Sequence, residues 1–238
     1  IFADEAIYVR WSQVMRAEAS LRFLPLSDGK QPLFMWLTIP FLKIISDPLL
    51  AARLVSGLAG VGTVLGVGLG AYLLFKNTRV SLVAAALWTV LPYSVFFERM
   101  ALADALLTLF LVWAFNFTAL SITKCRLDFS LLAGFALGFA YLTKSPAIFF
   151  FFLLPFLTLL IDRHTLTPVR VLKTAGLLLV TFTLALGMYN ILRLGPQFHQ
   201  IALRNSDYVH PLSEVLSHPL DPLVPHLKDS LNFYFYLA

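Results

Sequence analysis

Four separate stretches of the chain set ionisable side chains beside long apolar runs: Asp4-Glu5, Asp28-Gly29-Lys30, Glu98-Arg99 followed by Asp104, and Lys144. A charge adjoining a membrane-length apolar run is costly unless it is paired, hydrated or put to use. Taken singly, most of these have ordinary explanations. Asp4-Glu5 reads as a solvated pair, Glu98-Arg99 as a turn between helices, and Lys144 as a side chain snorkelling to the interface. Asp104 resists such a reading, because it sits inside the apolar run 100–110, where an unpaired carboxylate is expensive. Together the groups have a chemistry. Two carboxylates near a membrane surface can hold a divalent cation such as Mg, Mn or Zn, or take a proton from a hydroxyl. Lysines and an arginine beside them can neutralise a departing phosphate.

The elements that must position these groups are membrane helices. Hydrophobic residues fill 59% of 238 positions and charged residues 13%, and the mean hydropathy is +0.80. A soluble domain is about half apolar and about a quarter charged. Apolar runs recur that are long enough to cross a hydrocarbon core, almost without polar stripes at helical period. The expected fold class is therefore all-α: a polytopic transmembrane bundle, with juxtamembrane helices in a first outer loop. The net charge of +5 comes without a basic cluster, so nucleic acid is not an expected partner and the lipid bilayer is. Cys125 stands alone, which leaves no disulfide framework and no cysteine metal site.

Residues 1–47 read as an outer-face loop. Its first 32 residues are amphipathic, with Ile7, Val14 and Met15 among Arg10, Arg16 and Glu18, and the short run 32–45 is too brief to cross. Asp47-Pro48 is a helix start, an N-cap followed by proline at the first helical position. The span that follows, to Phe75, carries Gly62, Gly66 and Gly70 on one face for close helix packing. Residues 80–123 would extend about 65 Å as one helix and must fold back at Glu98–Asp104, giving spans near 80–97 and 105–122. Residues 129–161 break at Lys144-Ser145-Pro146, and a last span runs from about 172 to 192. That makes about six spans in residues 48–192. Residues 193–238 form a polar outer loop leading into a truncated span. No signal peptide is visible, residue 1 is Ile, and the chain reads as an internal fragment.

Parity puts loops 76–79, 124–128 and 162–173 on one face. Lys76, Arg79, Lys124, Arg126, Arg163, Arg170 and Lys173 crowd those short loops against only Asp128 and Asp162, so this face is the expected cytoplasmic one. All four ionisable stretches then meet on the other face. A lipid-borne sugar phosphate at that interface would engage both the carboxylates and the cations.

In order along the chain, residues 4–8 (Asp-Glu-Ala-Ile-Tyr), 30–36 (Lys-Gln-Pro-Leu-Phe-Met-Trp), 52–60 (Ala-Arg-Leu-Val-Ser-Gly-Leu-Ala-Gly), 99–104 and 142–146 resemble the GT-C superfamily of membrane glycosyltransferases. Within it they look most like protein O-mannosyltransferases and the bacterial aminoarabinose transferases that modify lipid A. The resemblance covers about residues 1–160. It implies a polyprenyl-phosphate-linked sugar donor, a protein, lipid or glycan acceptor, and inversion at the anomeric carbon. It makes Asp4 and Asp104 the catalytic acids, with Glu5 as partner of Asp4, and sets Lys30 and Lys144 at the donor phosphate. The charged cluster itself adds Arg99 as a further expected ligand of that phosphate, and leaves Glu5 and Glu98 to bind a metal or orient the acceptor. The resemblance also implies a bacterial plasma-membrane protein with its active site on the extracytoplasmic face. Two positions depart from the family pattern: Gln31 stands for a proline and Ser145 for a glycine. The outer segment 193–232 reads as a loop over the site with turn prolines, and its histidines lack metal-ligand spacing. A transporter or lipid flippase is the alternative, though no inverted repeat is visible and the charges gather at one face rather than the midplane. A non-catalytic assembly subunit would explain the spans but not the converging acids.

Overall fold

The computed structural model describes residues 3–162, 165, 167–206 and 211–237. Its described residues form helices and connections, with no strand among them. Helix α1 (Ala3–Ala17) is followed by 3-10 turns at Ala19–Leu21 and Leu24–Asp28 and by α2 (Leu33–Leu42). These are the expected juxtamembrane helices, packed on each other and on the start of the bundle through Tyr8, Met15, Phe34, Met35 and Ile39. Helix α3 (Pro48–Phe75) begins where Asp47 accepts from the N–H groups of Leu49 and Leu50, as the Asp-Pro pair requires.

The segment expected as one span over 80–97 is two helices, α4 (Thr78–Val90) and α5 (Pro92–Arg99), bent by 61°. Pro92 pushes Leu91 out of the helical region and leaves the Trp88 carbonyl without its backbone donor; the Ser94 hydroxyl donates to that carbonyl and to Leu91's. After α6 (Ala103–Lys124) and α7 (Leu127–Thr143), the chain breaks at Lys144 as expected. The return leg is irregular: a 3-10 turn at Ser145–Ala147, α8 (Ile148–Leu153) and a further 3-10 stretch, Leu154–Leu160. Helix α9 (Pro168–Tyr189) completes the apolar series.

Among the described residues three helical segments are long and apolar enough to cross on their own: α3, α6, and Pro168–Leu194, which extends α9 by a 3-10 turn. The bent α4–α5 pair makes a fourth, and the two legs around Lys144 are shorter apolar helices. Beyond them, the expected polar loop 193–232 is largely helical, with α10 (Gln200–Ser206), α11 (Leu212–Ser217) and α12 (Leu220–Leu237). Leu223, Val224, Leu227 and Leu231 carry the helical pattern through that polar stretch, which loop composition alone concealed.

Small residues set the packing. Gly62, Gly66 and Gly70 face Leu109, Val112 with Trp113, and Asn116, so α3 runs parallel to α6. The Trp113 indole donates to the Gly62 carbonyl and the Asn116 amide to that of Gly66, at 3.0 and 2.7 Å. The same device joins α7 to α9: Gly134 meets Thr181 and Leu184, Gly138 meets Met188, and Ser130 bonds to Thr181. In lipid, close approach and interhelical hydrogen bonds replace the hydrophobic drive between helices. Two parallel pairs, linked by the antiparallel α6–α7 hairpin, bring the starts of α3 and α6 and the ends of α7 and α9 to one end of the bundle.

The two glycine rows differ in tolerance. A methyl at Gly134 would lie 2.9 Å from the Thr181 carbonyl oxygen, a backbone atom that cannot turn aside, whereas at Gly62 the nearest atom is the mobile Leu109 Cδ1. Gly134→Ala is expected to cost about 1–3 kcal/mol and Gly62→Ala clearly less. Thermal unfolding in detergent checks the ranking; equal melting temperatures would refute it.

Candidate active site

The gathered end holds two lysine–aspartate pairs. Gly29, in the left-handed region at φ 62°, turns the chain so that Lys30 lies 3.3 Å from Asp28 and 3.1 Å from Asp4, which stands in the first turn of α1. Only glycine fits this turn, because a Cβ there would also strike the Gln200 carbonyl and Arg204. The Lys30 ammonium lies over the rings of Tyr8 and Trp11, 5.1 and 5.6 Å from their centroids. On the other side, Lys144 follows the end of α7 and Asp104 opens α6, and their side chains meet at 2.7 Å. The antiparallel hairpin dictates this pairing, since its two open ends are neighbours.

The two pairs share one environment. Burial above all, then the nearby Asp4 and Asp104 carboxylates, pushes the Tyr8 hydroxyl well above the usual tyrosine range, while Arg204 works the other way. Tyr8 thus stays neutral at ordinary pH, close to both acids. Arg204 reaches back from α10 to the Asp28 carboxylate and carbonyl, at 2.8 and 2.9 Å, which closes a chain of alternating charge: Arg204, Asp28, Lys30, Asp4. The segment expected to cover the site therefore touches it.

Glu5 and Glu98 have different surroundings. Glu5 is fully buried; Arg53 grips both of its oxygens at 2.9 and 3.0 Å, and the Ala101 N–H donates to one of them at 2.8 Å. It joins α1, α3 and the connection before α6, and turns no oxygen toward open space. Glu98 accepts from the Trp88 indole at 2.7 Å and lies against Gly60, bracing the bent α4–α5 pair on α3. Among the described residues Arg99 is exposed and takes part in no ion pair. Four contributors were not singled out as site residues from sequence: Arg53, Asp28, Arg204 and Tyr8. Arg53 did leave a signal, as a lone charge within a span, where a partner is needed.

Among the described residues no three His, Cys, Asp or Glu side chains come together as metal ligands. Asp4 and Asp104 each face a lysine instead. This donor set does not fit a protein-built cage for the expected divalent cation, and no step is routed through one.

The family model of the dolichyl-phosphate-mannose-protein mannosyltransferases matches residues 29–188, about two thirds of the chain. The chain belongs to that family. It is an integral-membrane glycosyltransferase of the GT-C type, and the transporter and assembly-subunit readings fall away. No curated protein and no solved structure matches the chain. The matched stretch includes Lys30, Glu98, Arg99, Asp104 and Lys144 of this glycosyltransferase. Asp4 and Glu5 precede it and are tied to it through Lys30 and Arg53.

The Glu5–Arg53 geometry makes a prediction. Arg53→Met strands a buried carboxylate and is expected to destabilise the enzyme by about 3 kcal/mol. Combining it with Glu5→Gln recovers part of that loss, because the stranded charge is gone. Thermal unfolding of the three variants checks this; a double variant no more stable than Arg53→Met would contradict it.

Proposed function

We propose that this glycosyltransferase moves a sugar from a polyprenyl-phosphate-linked donor to a hydroxyl or amine of a protein, lipid or glycan acceptor, at the extracytoplasmic face. The carrying observation is the convergence of Lys30–Asp4 and Lys144–Asp104 at one end of the bundle. Partly exposed ion pairs contribute about 0–1 kcal/mol each, so exchanging a carboxylate for a phosphate partner costs little. A donor phosphate that takes up Lys30 and Lys144 releases both aspartates for the acceptor. The family's name supports a lipid-phosphate donor. The outer face is supported by the basic residues at the opposite end: Lys76, Arg79, Lys124, Arg126, Arg170 and Lys173.

In the transfer, Asp4 accepts the acceptor's proton as its oxygen or nitrogen bonds to the anomeric carbon. The bond from that carbon to the phosphate oxygen breaks, and the electron pair leaves with the phosphate. Lys30 and Lys144 neutralise the growing negative charge, with Arg99 available at the same end. Asp104 orients the acceptor. Glu5 and Glu98 act at one remove: Glu5 seats α1, and hence Asp4, while Glu98 holds α5, and hence Arg99.

The test is turnover by the full-length enzyme of a panel of polyprenyl-phosphate sugars, with products identified by mass. Asp4→Asn is expected to slow transfer by about 10²- to 10⁴-fold, the usual worth of a positioned base. Lys144→Met is expected to lower kcat with little change in acceptor KM. Wild-type transfer rates in an Asp4→Ala enzyme would remove Asp4 from this role.

A further inference from the structure

We propose that the Gln31 amide and the Ser145 hydroxyl form a positioning latch that sets the spacing of Lys30 and Lys144. The inference rests on the assignment of those two lysines to the donor phosphate. Gln31 donates from Nε2 to Ser145 Oγ at 2.7 Å, across 114 residues of chain. Each partner is the immediate neighbour of one lysine, and Gln31 is only 5% exposed. The lysines otherwise belong to different parts of the fold. Lys30 is held by Asp4 and Asp28 in the layer built from α1 and the turn before α2. Lys144 is held by Asp104 at the open end of the α6–α7 hairpin.

The weak lysine–aspartate pairs cannot fix that distance, least of all once a phosphate has displaced the carboxylates. The latch can, because its bond does not involve the aspartates that the phosphate displaces. Ser145 is held firmly for this purpose: it opens a 3-10 turn followed by Pro146 and the fully buried Ala147. A buried amide that loses its partner is left with its desolvation uncompensated, which favours keeping the bond. Gln31 and Ser145 are thus positioning residues that act through the two lysines.

Charge on the phosphate grows toward the transition state, so a misplaced lysine lowers kcat more than it raises donor KM. In the full-length enzyme with a polyprenyl-phosphate sugar that the wild type turns over, Gln31→Ala and Ser145→Ala are each expected to lower kcat by about 10- to 100-fold. Donor KM should move far less, and the double variant should be no slower than the slower single one. Melting temperatures are measured alongside. If Gln31→Ala is too unstable to assay, the half-buried Ser145→Ala carries the test alone. Losses that multiply in the double variant, unchanged kcat in the singles, or a loss expressed in KM alone would overturn the latch. Lys30→Met and Lys144→Met run in parallel. Full activity in those two sinks the phosphate assignment and the latch with it, whereas their failure beside active Gln31→Ala and Ser145→Ala enzymes sinks the latch only.

Discussion

The buried carboxylate of Glu5 is the constraint on which the charged end of this protein depends. A carboxylate with no exposure is tolerable only if its oxygens are fully engaged, and here Arg53 and the Ala101 N–H engage them. Those partners lie on α3 and on the connection into α6, so one side chain locks α1 to two membrane helices at once. Arg16, which donates to the Leu42 carbonyl, and Asp4, which pairs with Lys30, tie the same helix to α2 and to the turn before it. With α1 seated, Asp4 stands within reach of Lys30, and Tyr8 turns its ring under the same ammonium.

Below that end, the bundle is held by close contact between backbones. Glycine rows on α3 and α7 let α6 and α9 approach in parallel, and the polar groups that cross these seams are indole, amide and hydroxyl donors aimed at backbone carbonyls or at each other. This suits a lipid surrounding, where apolar side chains gain nothing by leaving the tails. The geometry also serves the site. Parallel pairs linked by one antiparallel hairpin place the starts of α3 and α6 and the ends of α7 and α9 together, which is where the charged groups sit.

Two kinds of ion pair therefore divide the work. The Glu5–Arg53 pair resists opening, because the Glu5 carboxylate is fully buried and would be left as an uncompensated charge. The lysine–aspartate pairs are partly exposed and individually weak, which leaves them open to exchange with a ligand. The proposed transfer would use both: a frame that holds its shape in the bilayer, and cations whose resting partners can give way to a phosphate.

Much of this was legible in the residues. Hydropathy and length determined the membrane class, Asp47-Pro48 the start of α3, Lys144-Ser145-Pro146 the break, and Gly62, Gly66 and Gly70 a packing face, because each depends on local chemistry. Alternation of spans was enough to send Asp4, Lys30, Asp104 and Lys144 to one end. The bend at Pro92 and the helices within 193–232 were missed, since an apolar run hides a kink and a polar stretch hides a helix. Tertiary structure alone decided that Asp4 faces the site while its neighbour Glu5 is buried, and that Arg53, Arg204 and Ser145 answer Glu5, Asp28 and Gln31 over 48, 176 and 114 residues. The physical reason is that each of these pairs joins elements far apart in the chain, and local chemistry does not fix how a turn or a helix is set against a distant neighbour.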